Sequence, residues 1–319
     1  MNLTLFFSAN SRYISREREK EIRVSLNSGD VSPKQLEGDL AGFRKLSEYL
    51  RREAGINLTL SAKNQTLLAS RIGKIMNPLG FSTYSELHSA LLAGRRDVRD
   101  LFINAITTNT THFFREKQHF DFLAKSIRDV VNHPDKKKSR EIRVWCAACS
   151  TGEEAYSITM SLSAIFPANE GWHLKILATD IDTDVLKKAA RGVYPQEAIE
   201  SVPDNLKNSC FDRGVGDSDG LVRVRKSLRD LITFAPFNLM STSYAFQSKF
   251  DIIFCRNVMI YFDRPEIQST IRKLEGCLRL GGLLFLGHSE TIIGVTPGLK
   301  SRAPAVYERL STNRKGEAA

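Results

Sequence analysis

The chain contains no apolar run approaching the roughly 20 residues that a membrane-spanning helix needs, so membrane insertion is not expected. Residues 1–7 are apolar but short, with no basic stretch ahead of them, which argues against a secretion signal. Cysteine is sparse and odd in number: the five at 146, 149, 210, 255 and 277 suit reduced cytosolic thiols better than a disulfide framework, and Cys255 and Cys277 sit among apolar neighbours. No internal repeat is visible, and no dinucleotide G-x-G-x-x-G follows a strand. What is present suffices for a folded protein: 42% hydrophobic and 26% charged residues in 319, a length that suggests about two domains.

The net charge of +10 is unevenly placed, with nine of the ten surplus positive charges in residues 41–140. Such an excess points to an acidic partner, whether nucleic acid, anionic lipid or acidic protein, and is equally compatible with an ordinary solvated surface.

Residues 1–38 are polar, with a short helical pattern around 15–26, and read as a mobile extension. Residues 39–110 read as a helical, basic domain: helices over 42–53, from Ser61 to the Asn77-Pro78 breaker, over 83–92, and from Asp97 onward. At 100° per residue Lys63, Lys74 and Arg71 fall at about 0°, 20° and 80°, opposite Leu68, Ile72, Ile75 and Met76 at about 120–220°. That geometry offers a cationic face on an inward-packing helix. Residues 111–140 form a linker and helix.

From 141 the rhythm changes. Strands at 141–145, which alternates, and at 174–178, 231–235, 251–254 and 281–286 are interleaved with helices at 153–166, 184–191 and 264–280, predicting a mostly parallel α/β sheet over 141–310. The stretch 192–229 breaks the alternation and reads as a small antiparallel insertion; 311–319 is a tail. In such a sheet ligands bind beyond the carboxyl ends of the strands. The loop Cys146-Ala-Ala-Cys-Ser-Thr-Gly152 has small residues that let a ligand approach the backbone, and Glu153 and Glu154 follow at once. That acidic pair would repel a pyrophosphate and attract an ammonium, or serve the helix dipole alone. Asp180, ending the second strand, can accept from two ribose hydroxyls or cap the next helix. A ribose without pyrophosphate, joined to a group bearing an ammonium, describes S-adenosyl-L-methionine. Cys146 and Cys149 have neither an activating environment nor partner ligands in the sequence, so they read as loop-lining residues; no metal is expected.

Four motifs in order, Thr107-Thr-Asn-Thr-Thr-His-Phe-Phe-Arg115-Glu, Ser150-Thr-Gly-Glu-Glu154, Ala178-Thr-Asp-Ile-Asp182 and Phe254-Cys-Arg-Asn-Val-Met-Ile-Tyr-Phe-Asp263, closely resemble CheR-type chemotaxis receptor methyltransferases, over about residues 40–310 and including Gly287-His-Ser-Glu290. The resemblance implies a Rossmann-like S-adenosylmethionine-dependent methyltransferase fold. It also implies methyl transfer to receptor glutamates, giving γ-carboxyl methyl esters and S-adenosyl-L-homocysteine. Implied cofactor contacts are Asn109, Thr111, Arg115, Glu154, Asp180, Asn238, Leu239, Arg256 and Asn257, with Arg115 and Tyr261 as the catalytic pair. Partners would be cytoplasmic helices of the receptor, met by Lys63, Arg71 and Lys74. A receptor C-terminal tail peptide is a further partner, since family members with a G-x-G-x-x-x-G stretch tether one and Gly214, Gly216 and Gly220 fit that spacing. Taken alone, those glycines also suit a hairpin turn. The implied protein is a cytoplasmic monomer recruited to membrane receptor arrays. Cys146 and Cys149 stand where the family has smaller residues such as Ser and Ala, and residues 1–38 have no counterpart.

The residue types suit that chemistry. A glutamate carboxylate, with a pKa of about 4.3, is already nucleophilic at neutral pH, and no convincing His–acid dyad is seen in the motifs. Arg115 can clamp a carboxylate bidentately and Tyr261 can donate one further hydrogen bond, or simply pack in its corner. Rival readings are a nucleic-acid methyltransferase and a non-catalytic S-adenosylmethionine-binding adaptor. The first lacks an Asn/Asp-Pro-Pro-Tyr/Phe element and interleaved exposed aromatics, so no nucleic-acid partner is expected. A hydrolase based on Gly287-His-Ser-Glu290 lacks G-x-S-x-G.

Overall fold

The computed structural model describes residue 36 and residues 39–131, 139–290 and 296–310. The expectations for the N-terminal extension, including its short helix, and for the tail fall outside them. The chain divides at Thr107 into two compact units.

The first unit is helical: α1 (Leu40–Ala54), α2 (Ala62–Leu79), α3 (Tyr84–Leu92) and α4 (Arg96–Ile106). Each start has a local cause. Asp39 accepts from Gly42 N, Ser61 from Asn64 N, and Thr83 with Glu86 closes a capping box on α3. α1 and α2 end at Gly55 and Gly80, both left-handed (φ 70° and 72°), where a side chain would be strained. The expected break at Asn77-Pro78 does not occur. Pro78 lies in the last turn of α2, where it forgoes one i→i−4 bond without ending the helix, and Gly80 N and Phe81 N close the helix onto Asn77 O and Met76 O. Phe43, Leu46, Leu50, Leu68, Ile72, Met76, Leu87 and Phe102 form the buried centre.

The second unit opens with α5 (Lys117–Val131) and continues β1 (Glu141–Ala147), α6 (Glu153–Ile165), β2 (His173–Asp180), α7 (Thr183–Arg191), β3 (Val193–Pro195), α8 (Asp204–Cys210), β4 (Phe211–Arg213), β5 (Leu221–Val224), α9 (Lys226–Arg229), β6 (Ile232–Pro236), β7 (Phe250–Cys255), α10 (Arg264–Cys277), β8 (Leu278–Leu286), β9 (Leu299–Ala303) and β10 (Val306–Arg309). The main sheet runs β6-β2-β1-β7-β8-β10-β9, parallel from β6 to β8 and antiparallel beyond; the insertion forms a separate antiparallel sheet, β3-β5-β4. Two differences from the sequence reading stand out. α10 stops at Cys277 rather than 280, because Leu278 pairs with Phe250 and is fully buried, and β8 then passes through left-handed Gly281. The closing pair β9 and β10 has only partly buried faces, so its apolar alternation is too weak to read.

Sheet register positions the site. Ala235, Thr179, Ala147, Cys255 and Leu286 lie in one row across β6, β2, β1, β7 and β8. The residues immediately after that row are Pro236, Asp180, Ala148, Arg256 and Gly287. The chain leaves β1 toward β2 and leaves β7 toward β8, so the connections diverge between β1 and β7 and open a crevice there.

Candidate functional site

The loops above this row carry an unusual backbone. Ala148 and Ser150 have φ of 60° and 49°, Phe114 and Glu116 54° and 56°, and Asn257 57°. Positive φ in residues with side chains costs energy and is kept where packing enforces it, often at functional loops. Here Cys149 N bonds Thr179 O, and Ser150 N bonds the Asp180 carboxylate at 2.8 Å.

Asp180 is buried and has its second oxygen on Asp182 N at 2.9 Å. Burial raises its pKa to about 6, with the backbone bonds to Asp182 and Ser150 pulling down. Each oxygen retains acceptor capacity toward a hydroxyl. Capping of the following helix falls instead to Asp182, which accepts from Asp184 N and Val185 N and takes Asn109 Nδ2 at 2.8 Å. Asn109 O in turn receives the Ser150 hydroxyl, so the 109–116 segment is tied to the β1 and β2 loops. Thr111 is half-buried in that segment. Asn238 and Leu239 follow β6, and Phe237 N bonds Asp180 O at 2.9 Å, which places them beside Asp180. Lys273, from α10, holds this loop by donating to Leu239 O and Ser241 O.

A second cluster surrounds Arg256. Its guanidinium is buried and meets Glu154 at 3.0 Å, Glu116 at 3.0 Å and Arg115 O at 2.6 Å. Burial raises the Glu154 pKa against the pull of Arg256. Burial also works upward on Glu116, but Arg256, Asn257 and His288 outweigh it and the pKa is lowered. The two carboxylates on one guanidinium thus shift oppositely because Glu154 is the more deeply enclosed. The two acidic residues opening α6 separate in role: Glu153 is taken by the Thr151 hydroxyl, while Glu154 faces Arg256 and the Cys146 thiol. Burial first, then Glu154, pushes Cys146 well up, and burial with Asp180 does the same to Cys149. Both remain thiols at neutral pH, unsuited to redox exchange.

Arg115 is half-buried, with Nη1 donating to Thr110 O at 3.1 Å. Tyr261 is half-buried in the short turn Met259–Tyr261 that follows the Arg256-Asn257 corner. Sequence reading missed Glu290. Its carboxylate accepts from Asn257 N, Val258 N, Met259 N and Gly287 N at 2.6–2.9 Å and so fixes the corner carrying Arg256, Asn257 and Tyr261. The Gly287-His-Ser-Glu290 segment is therefore a loop clamp. A His–acid pair, not seen in the motifs, does exist: His119 Nδ1 lies 3.4 Å from Glu116 Oε2. Burial first, then Arg256, lowers the His119 pKa to about 4, so the ring is neutral at pH 7.

The docking residues fare differently. Lys63 and Lys74 are exposed, whereas Arg71 Nη1 donates to Ile106 O at 2.6 Å and Thr107 O at 3.1 Å, closing the end of α4. In the insertion, a side chain at Gly214 would collide with Ser218 O, and Gly216 and Gly220 have φ of 60° and 77°. All three glycines have a backbone reason to be there.

The arrangement fits the cofactor expected from the sequence. Glu154, Glu116 and Glu290 outnumber Arg256 in the crevice, suiting a cationic ligand, and buried Asp180 retains acceptors for hydroxyls. Among the described residues no helix is long and apolar enough to cross a membrane.

Comparison with known proteins agrees. The family model for the CheR methyltransferase SAM-binding domain matches residues 109–304, and that for the CheR all-alpha domain matches 41–107. A chemotaxis protein methyltransferase of Escherichia coli (strain K12) is 39% identical over 84% of this chain and 90% of its own. Chemotaxis protein methyltransferase 2 of Pseudomonas aeruginosa is 38% identical over 83% of this chain and 91% of its own. With both domain models matched in order and relatives covered almost end to end, the chain belongs to the CheR methyltransferase family, whose larger domain binds S-adenosylmethionine.

Proposed function

We propose that this enzyme methylates glutamate side chains of membrane-bound chemotaxis receptors, forming glutamyl methyl esters. The observation that carries the reading is the row of strand ends, which sets a hydroxyl-accepting Asp180 beside a carboxylate-rich pocket organised on Arg256. The chemotaxis methyltransferases at 38–39% identity support the receptor as substrate.

Asp180 would accept the ribose hydroxyls, Glu154 would face the methionine ammonium, and Asn238 and Leu239 would border the adenine. Asn109, Thr111, Arg256 and Asn257 complete the proposed cofactor set. S-adenosylmethionine supplies an activated methyl group on a sulfonium. The chain's task is then to place an ionised carboxylate, which needs no base. Arg115 would clamp it through paired N–H groups and Tyr261 would donate to it, stripping water in the process. Positioning of this kind is worth up to about 7–11 kcal/mol. Lys63 and Lys74 are proposed to meet acidic receptor helices, with Arg71 contributing chiefly as the closure of α4. The β3-β5-β4 sheet, with Val193 and Leu221 exposed, is proposed to take a receptor tail peptide along a strand edge. The enzyme would act as a cytoplasmic monomer brought to receptor arrays.

The test is incubation of receptor-bearing membranes with methyl-labelled cofactor. Label released as methanol by mild base marks a carboxyl ester; base-stable label, or label in nucleic acid, contradicts the proposal.

A further inference from the structure

Glu116, His119 and His288 place three ligand atoms within 4.8 Å of one another, at the end of the crevice beyond Arg256. Glu116 immediately precedes α5 and His119 lies in its first turn, so the spacing turns both toward one point; His288 comes from the loop after β8. Glu116 Oε2 lies 3.4 Å from His119 Nδ1 and 3.8 Å from His288 Nε2. His119 Nε2 contacts Pro304 O at 3.3 Å, a carbonyl that can only accept; with the proton on Nε2 this contact is a hydrogen bond and Nδ1 presents its lone pair toward Glu116. Nδ1, in a residue 2% exposed, has no hydrogen-bond partner and faces Glu116 Oε2, an oxygen that also meets the Arg256 guanidinium at 3.0 Å.

In that tautomer a buried imidazole lone pair and a carboxylate oxygen face each other, an arrangement that a cation between them would favour. An imidazole whose second nitrogen donates to a backbone carbonyl is also how metal-ligating histidines are commonly held. Tetrahedral zinc with bonds of about 2.0–2.2 Å spaces its ligand atoms roughly 3.3–3.5 Å apart; the two separations from Glu116 Oε2, 3.4 and 3.8 Å, are near that spacing, within a set that spans up to 4.8 Å. His288 is 45% exposed and its ring packs edge-on against that of His119. We propose that Glu116, His119 and His288 form a binding site for a borderline-soft divalent cation of the zinc type. Three protein ligands leave a position open to water. Neighbouring carboxylates Glu154 and Glu290 offset the charge of Arg256. Because Glu116 also receives Arg256 and Asn257, cation binding would alter the geometry of the proposed cofactor pocket. The site itself stands independently of the methyl acceptor.

The experiment is calorimetric titration of the full-length apo protein with zinc at neutral pH, alongside His288→Ala and, as a control, His173→Ala at an exposed histidine on β2. Cobalt substitution is followed by absorbance. One equivalent should bind the parent, with affinity reduced at least roughly 10- to 100-fold in H288A and unchanged in H173A. Bound cobalt should show visible bands of low coordination number without the near-ultraviolet thiolate charge-transfer band. Absence of saturable zinc binding, equal affinity in H288A, or a thiolate band pointing to Cys146 and Cys149 would overturn the proposal. Thermal melts of the three proteins separate ligand loss from misfolding.

Discussion

At Asp180 two backbone N–H groups hold the carboxylate while burial keeps its pKa near 6. If that carboxylate accepts ribose hydroxyls, its protonated form loses an acceptor. Affinity for S-adenosylmethionine should therefore be level above pH 7 and fall as the pH drops through about 6, measured by calorimetry; a flat profile from pH 5 to 8 would remove Asp180 from the site. Asp180→Asn should weaken binding while the chain stays folded. Arg115 is proposed to act on the acceptor, so Arg115→Ala should lower methyl transfer by about 100-fold or more at saturating cofactor, as loss of a positioned donor commonly does. Wild-type turnover in a radiolabel assay would dismiss that role. Asp180 and Arg115 could be proposed from the sequence, the first because it ends a strand, the second by resemblance. The contacts of Glu116 and Glu290 could not, since they arise only when distant loops fold back onto Arg256 and the β7 corner.

Among the elements, the corner after β7 depends on one side chain. Glu290→Ala would leave the Asn257, Val258 and Met259 N–H groups without their acceptor. With about 1–3 kcal/mol for a buried group left unpaired and less for the part-buried Asn257 and Val258 N–H groups, a destabilisation of about 2–3 kcal/mol is expected in chemical denaturation; a loss under 1 kcal/mol would mean the corner holds itself. Arg71 makes the parallel case in the helical unit. Its two bonds to the end of α4 predict that Arg71→Ala costs about 1–2 kcal/mol of stability. Lys63→Ala with Lys74→Ala should leave stability alone and instead slow receptor methylation at low salt. A helical wheel assigns Arg71 to the rim of the cationic face but carries no information on whether its side chain reaches a neighbouring helix. The same limit explains α10: the run 264–280 keeps a helical pattern to its end, and only pairing with Phe250 converts Leu278 to strand.

For the whole molecule, alternation of strands and helices was readable because the parallel strands are either alternating, as β1 and β2 are at their starts, or buried along their full length, as β7 is. The antiparallel edge β10-β9 lacks that signature and was not read. The flush register of β6, β2, β1, β7 and β8 then gathers motifs from across the second unit into one row, which explains why they lie far apart in sequence and yet share a crevice. What the fold and family establish is a methyltransferase with an S-adenosylmethionine-binding domain; the acceptor is the central claim. The most direct test supplies receptor membranes and tritiated S-adenosylmethionine to the purified protein and follows volatile methanol after mild base. The account predicts base-labile label on the receptor, abolished when the methylatable glutamates are replaced by alanine. Label that survives base, or that persists on receptors without those glutamates, would contradict it.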